Sequence, residues 1–387
     1  MKKPRLYFDY NATAPLRPEA RAAMLYALDA VGNASSVHGE GRAARARVEA
    51  ARVEIARLVE GDPELVTFTS GGTEANNTVL TPSWTRAGKP RNFDRLLVGS
   101  TEHPSVLAGG RFPAEHIHQI PVDGDGVTDL DGLRSSLAAE GDRTLVSIML
   151  ANNETGVIQP IAEIAEIAHT AGALVHADAI QAVGRVPVDV KALGVDVLTI
   201  SAHKIGGPLG AGAIVRSNED LTFSPVLSGG TQERRSRAGT ENVAAIAGFG
   251  VAANLALADL KNAHGWSVLR DEVAAVIASG GRPVTIFGAG AIRLPQTLCV
   301  AVAGTSAETL VIALDLAGVA VSSGSACSSG KVGPSHVLAA MGAPPALAQA
   351  AIRISLGWES TKSDIDIFAR AWRDVLKRIA PGEIQAA

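Results

Sequence analysis

Short, nearly all-apolar runs recur along the first two thirds of the chain, each stopped by a small-residue turn and followed by a stretch with helical spacing. They read LVTFTSGGTEANNTVL, RLLVGSTEHPSV, TLVSIMLANNETGVIQPIAEIAEIAHTAG, ALVHADAIQAVG and VDVLTISAHKIGGPLGAGAIV. Apolar strands alternating with helices predict an α/β fold whose mainly parallel sheet is covered on both faces. Ahead of them a helix is expected from about Pro18 to Ala30. A second follows the loop GNASSVHG, with Val48, Ala51, Ile55 and Leu58 on one face. Beyond about residue 256 the pattern changes to helix, the short strands PVTIFG and TLCVAVAG, and a long amphipathic C-terminal segment, which predicts a smaller α+β domain. The expected division is a large domain over 15–255 and a small one over 256–387, joined by an N-terminal segment, 1–14. The stretch VSSGSACSSGKVGPSHV, from Val321 to Val337, has little that packs and is expected to be a mobile loop.

Composition narrows the function classes. With 387 residues, 47% of them hydrophobic, there is material for a large core, and a net charge of -4 without a Lys/Arg run argues against nucleic acid as a partner. The start MKKPRLYFDYNATAP has no apolar region behind its lysines. The longest apolar stretch, Val243 to Ala258, is broken by Gly248, Gly250 and Asn254, short of the ~20 residues of a membrane span. A soluble, cytoplasmic protein without membrane contact is expected. Two cysteines, Cys299 and Cys327, are too few for a disulfide framework, and no metal site is expected.

Ligands of such sheets bind beyond the carboxyl ends of the strands, where His103, Asn153, Asp178, Ser201, His203 and Lys204 all fall. Lys204 stands where a strand opens into Gly206, Gly207 and Pro208, as a Schiff-base lysine would, although a solvated loop lysine is the plainer reading. With pyridoxal 5'-phosphate as cofactor, Asp178 would keep the pyridinium nitrogen protonated and Gln181 would reach the phenolic oxygen. The helix opening at Thr73, with Ser201 and His203, would hold the phosphate, and His103 would stack on the ring. Taken singly, Asp178 is as well explained as a helix cap, Thr73 as a first-turn residue and His103 as a loop histidine. It is their joint placement around a lysine that favours the cofactor.

Together these motifs resemble the cysteine desulfurases of the NifS/IscS type, in the class V aminotransferase family of fold-type I pyridoxal phosphate enzymes. The resemblance runs from YFDYNATAP through SGGTEANN, TEHPSV, NNETGV, HADAIQAVG, SAHKIGGP, RAGTEN and SSGSAC to IRISLG, nearly the whole chain. It implies conversion of L-cysteine to L-alanine with Lys204, Cys327 and His103 catalytic, and with the sulfur left as a persulfide on Cys327. From there it would pass to an acceptor or iron-sulfur scaffold protein, for iron-sulfur cluster assembly. It also implies Asn153 and Arg353 on the substrate carboxylate, Asn153 beside the cofactor, and Thr240 lent to the neighbouring subunit's phosphate site in a homodimer. Departures include Ala75 and Asn76 where many relatives have Ser and Asp, Ala202 for a common Gly, and Leu209 where Lys is frequent. SSGSAC is of the long-loop branch. The alternatives are a selenocysteine lyase or aminotransferase on the same fold, or a non-catalytic sulfur relay; Cys299 reads as a buried strand residue.

Overall fold

The apolar runs become a seven-stranded sheet in the computed structural model, which describes residues 5–324 and 334–379. The strand order is Ile117–Ile120, Arg95–Gly99, Thr144–Met149, Leu174–Asp178, Val197–Ser201, Gly212–Arg216 and Val66–Thr69. The first five are parallel, whereas Gly212–Arg216 runs antiparallel to both of its neighbours. Val66–Thr69 therefore points the same way as the strand that ends before Lys204.

Burial on both faces follows from strand geometry, since successive side chains leave opposite sides of the sheet. Val146 and Leu198 join a core with Val48 and Ile55 of helix Gly39–Leu58 and Phe249 of helix Val243–Asp259. Their neighbours Leu145 and Val197 join the opposite one, with Val79 and Trp84. An outlying three-stranded sheet, Leu221–Phe223 with the hairpin Ser83–Arg86 and Lys89–Asn92, had no counterpart in the sequence pattern. Trp84 holds it by packing on Phe93 and Phe223, both at 5.5 Å.

A second sheet, entirely antiparallel, has the order Val284–Ile286, Thr297–Val302, Ala351–Ser355, Ser322–Ser323. It packs a separate core against helices Ala263–Ala278, Ala307–Leu316 and Lys362–Arg378 through Ile277, Leu310, Phe368 and Trp372. The chain's start belongs here too. Leu6–Tyr7 pairs in parallel with Val319–Ala320, and Phe8 is fully buried in this second core.

The two cores share one helical connector. Residues 243–278 form a stretch long and apolar enough by length and composition to cross a bilayer, which corrects the expectation that every apolar stretch is too short. Its apolar side chains are used inside the protein: Ala245, Phe249, Ala252 and Ala256 pack in the first core, Val273 and Ile277 in the second.

Candidate active site

The carboxyl ends of the parallel strands open into a cavity of about 340 Å³. Its walls include Thr73, His103, Asn153, Asp178, Gln181, Ser201, His203, Lys204 and Arg353, together with Asn11 and Ala12 from the N-terminal segment. One wall is the start of helix Gly72–Val79. There Gly212 is paired with both Thr69 and Ser201, and a Cβ on Gly212 would lie 2.6 Å from the carbonyl carbon of Gly71. Gly71 itself has φ of +153°. These glycines let the backbone close up behind a helix N-terminus whose N–H groups, with Ser201 and His203 beside them, form an anion site. Burial, with Lys204 and Arg185 nearby, pushes the His203 imidazole down to about 4, so it is a neutral hydrogen-bonding group at neutral pH.

Lys204 ends the short 3₁₀ turn Ala202–Lys204 that caps the central strand. Its Nζ donates to the carbonyl oxygens of Asn11, at 2.5 Å, and Ala12, at 2.9 Å. The Asn11 carbonyl also accepts from Gln181 Nε2 at 2.9 Å. Behind them lies the fully buried Arg185, donating to Gln181 and to the carbonyls of Tyr10 and Lys204. Burial, then Arg353, pushes its guanidinium down to about 9, so it stays charged.

Asp178 is the last residue of its strand, and both of its oxygens are occupied. Oδ1 accepts from Ile180 N at 2.9 Å and Oδ2 from Asn76 Nδ2 at 2.8 Å. Burial pushes this carboxyl up; these two donors, and then His103 and Lys204, oppose it. His103 caps the turn Pro104–Leu107. Its Nδ1 accepts from Ser105 N at 3.1 Å and lies 2.8 Å from Ser105 Oγ. Burial pushes the His103 imidazole down, Asp178 draws it up, and Lys204 and His336 push it down again.

Arg353 comes from the second sheet. Only 2% of its side chain is exposed; Nη2 donates to Asp9 Oδ1 at 2.8 Å and Nη1 to the Asn153 carbonyl at 3.0 Å. Its Nε is buried without a partner, so the fork retains donors for a carboxylate. Beside it Glu154 is pushed up to about 7 by burial, against the lowering effects of Ser335 and Arg353. Cys299 is fully buried opposite Arg353 in the sheet; burial, then Glu154, pushes its thiol well above the ordinary range.

Nine of the expected site residues thus share one cavity. Thr240 does not: it is exposed and lines no wall of its own chain's cavity. Cys327 lies outside the described residues. Among the described residues no group of His, Cys, Asp and Glu is placed to hold a metal. The sequence reading gave no role to Asp9 or Asn11, although YFDYNATAP was part of the resemblance, nor to Asn76. Arg185 had no signal at all, since nothing local marks its burial. The donor set fits pyridoxal phosphate: a buried carboxylate, a helix N-terminus and a lysine all border the same cavity.

Comparison with known proteins agrees with this set. The model of the family "Aminotransferase class-V" matches residues 6–368. A cysteine desulfurase of Cereibacter sphaeroides is 43% identical over 94% of this chain and 93% of its own. The cysteine desulfurase IscS of Dictyoglomus turgidum is 40% identical over 97% of this chain and 95% of its own. The solved structure of a NifS-like protein from Rickettsia africae superposes with a TM-score of 0.86 at 35% identity, covering 96% of this chain and 99% of that one.

Proposed function

The chain belongs to the class-V aminotransferase family, and from that membership we propose that it is a pyridoxal phosphate-dependent cysteine desulfurase. The observation that carries this reading is the convergence of Lys204, Asp178, the Gly72 helix N-terminus and Arg353 on one cavity. When bound, pyridoxal phosphate supplies an electron sink for negative charge at the substrate Cα. Asp178, with both oxygens fixed as acceptors, holds the ring nitrogen's proton, and Gln181 and Asn153 border the ring. Thr73, Ser201 and His203 hold the phosphate.

Arg353 takes the carboxylate of L-cysteine, with Asn153 alongside. Lys204 and His103 are the groups that carry protons at Cα and at the substrate sulfur. Cys327 then takes the sulfur: the substrate C–S bond breaks and an S–S bond forms. The carbon ends with hydrogen as L-alanine, and Cys327 ends as a persulfide, so atoms and electrons balance without an external oxidant. Transfer to an acceptor protein returns the thiol.

The similarity to a protein named IscS supports iron-sulfur cluster assembly as the destination. We place the enzyme in the cytoplasm as a homodimer in which the exposed Thr240 completes the neighbouring subunit's phosphate site. The deciding assay is alanine and sulfide release from L-cysteine with a thiol reductant. Equimolar products are expected; no alanine from cofactor-loaded protein would overturn the reading.

A further inference from the structure

Behind the cavity wall lies a chain of buried polar side chains that the reaction scheme does not use. Asn76, Thr199, His176 and Ser147 are all fully buried. Thr199 Oγ1 donates to Asn76 Oδ1 at 2.6 Å, His176 Nε2 lies 3.0 Å from the same hydroxyl, and Ser147 Oγ lies 2.8 Å from His176 Nδ1. A hydroxyl has one proton. Thr199 gives its own to Asn76, so His176 must donate from Nε2 and accept at Nδ1 from Ser147. Burial pushes the His176 imidazole down to about 3, in keeping with this neutral form.

At the cavity end the same accounting fixes two site groups. The Asn76 amide nitrogen has two protons and two acceptors, Asp178 Oδ2 at 2.8 Å and Ser105 Oγ at 3.0 Å. Turning the amide over would set its oxygen against the Asp178 carboxylate and lose the proton from Thr199. Because Ser105 Oγ accepts from Asn76, its own proton goes to His103 Nδ1, where Ser105 N also points. The His103 ring then carries its proton on Nε2.

We infer that Asn76 is a positioning residue that sets the direction of hydrogen bonding on two sides at once, holding Asp178 as an acceptor and His103 as the neutral Nε2–H tautomer. The inference deepens the proposed activity and rests on it for the roles of Asp178 and His103. The other groups acting on His103 are Asp178, which favours its protonation, and Lys204 and His336, which oppose it. His336 is itself bound through Nε2 to the Glu102 carbonyl at 2.9 Å.

Asn76→Asp reverses the relay. A carboxylate at this position accepts the Ser105 proton, Ser105 Oγ becomes an acceptor for His103 Nδ1–H, and a second negative charge faces Asp178. The test is two-bond ¹H–¹⁵N spectroscopy of the histidine-labelled apoprotein, followed by pyridoxal phosphate titration. In the unsubstituted protein His103 and His176 are both expected as Nε2–H tautomers. In Asn76→Asp, His103 should shift toward Nδ1–H and bind its second proton about tenfold more tightly or better, and cofactor affinity should fall about tenfold.

Ser105→Ala removes the hydroxyl alone and should leave His103 as a mixture of tautomers; it decides the matter if Asn76→Asp does not fold. An Nδ1–H tautomer of His103 in the unsubstituted protein, or a folded Asn76→Asp with unchanged His103 titration, overturns the inference. Loss of the desulfurase reading alone would show as absent alanine with the tautomers as stated.

Discussion

Arg353→Ala tests how a second-sheet residue reaches the reacting group. The guanidinium is almost wholly buried, and in the ligand-free site its charge is met by Asp9 at 2.8 Å and the Asn153 carbonyl at 3.0 Å, with Nε unpartnered. A substrate carboxylate would complete that coordination in a water-poor cavity. Removing one member of such a buried charge pair costs about 2–4 kcal/mol of binding, which corresponds to an increase in KM for L-cysteine of about 30- to 1,000-fold. Arg353→Lys keeps the charge but not the fork, so its loss should be smaller. Truncation also strips Asp9 of its partner, and Asp9→Asn serves as the control that breaks the ion pair while leaving the guanidinium. The assay is alanine release as a function of L-cysteine, with visible absorbance confirming bound cofactor. A folded, cofactor-loaded Arg353→Ala with unchanged KM would refute the assignment.

Three further expectations follow from the same geometry. Lys204→Ala should lose the visible absorbance of lysine-bound pyridoxal phosphate and drop alanine release to background; turnover at the original rate would remove Lys204 from the chemistry. Mass spectrometry after reaction with L-cysteine should find the added sulfur on Cys327 and none on Cys299, whose burial holds it as an unreactive thiol. Cys327→Ser should stop sulfur transfer, while Cys299→Ser leaves it running. Glu154 titrates near 7 in the folded protein against 4.5 for an unperturbed glutamate, so the native state binds the extra proton between those values and stability falls as pH rises across that window. The loss amounts to about 3 kcal/mol; Glu154→Gln should flatten it in urea denaturation at pH 5 and 7.5, and an unchanged pH dependence would show that Glu154 is not the group responsible.

Much of the cofactor-binding half was legible because a parallel strand buried on both faces writes itself as an unbroken apolar run, and the end of each run is a site position. Asp178, Ser201 and Lys204 were placed in this way. The antiparallel return of Gly212–Arg216 was not, since AGAIV looks the same in either direction and only pairing with Thr69 and Ser201 decides it. The hairpin Ser83–Asn92 was missed because SWTR and KPRN carry none of the apolar signal on which the other strands were read. Asn11 and Arg185 reach the site through long-range backbone contacts, which leave no local periodicity. Arg353 came through the resemblance alone; inside AIRIS it otherwise looks like an outward-facing strand residue.

Arg353 and Lys204 stand on different sheets, each packed in its own core. The group that selects the substrate and the groups that transform it are therefore inherited on separate pieces of structure. Evolution can retune the choice of amino acid through changes within residues 284–379 while the lysine, carboxylate and phosphate cradle pass on untouched. A lineage built on this plan diversifies its substrates by altering one sheet and conserving the other.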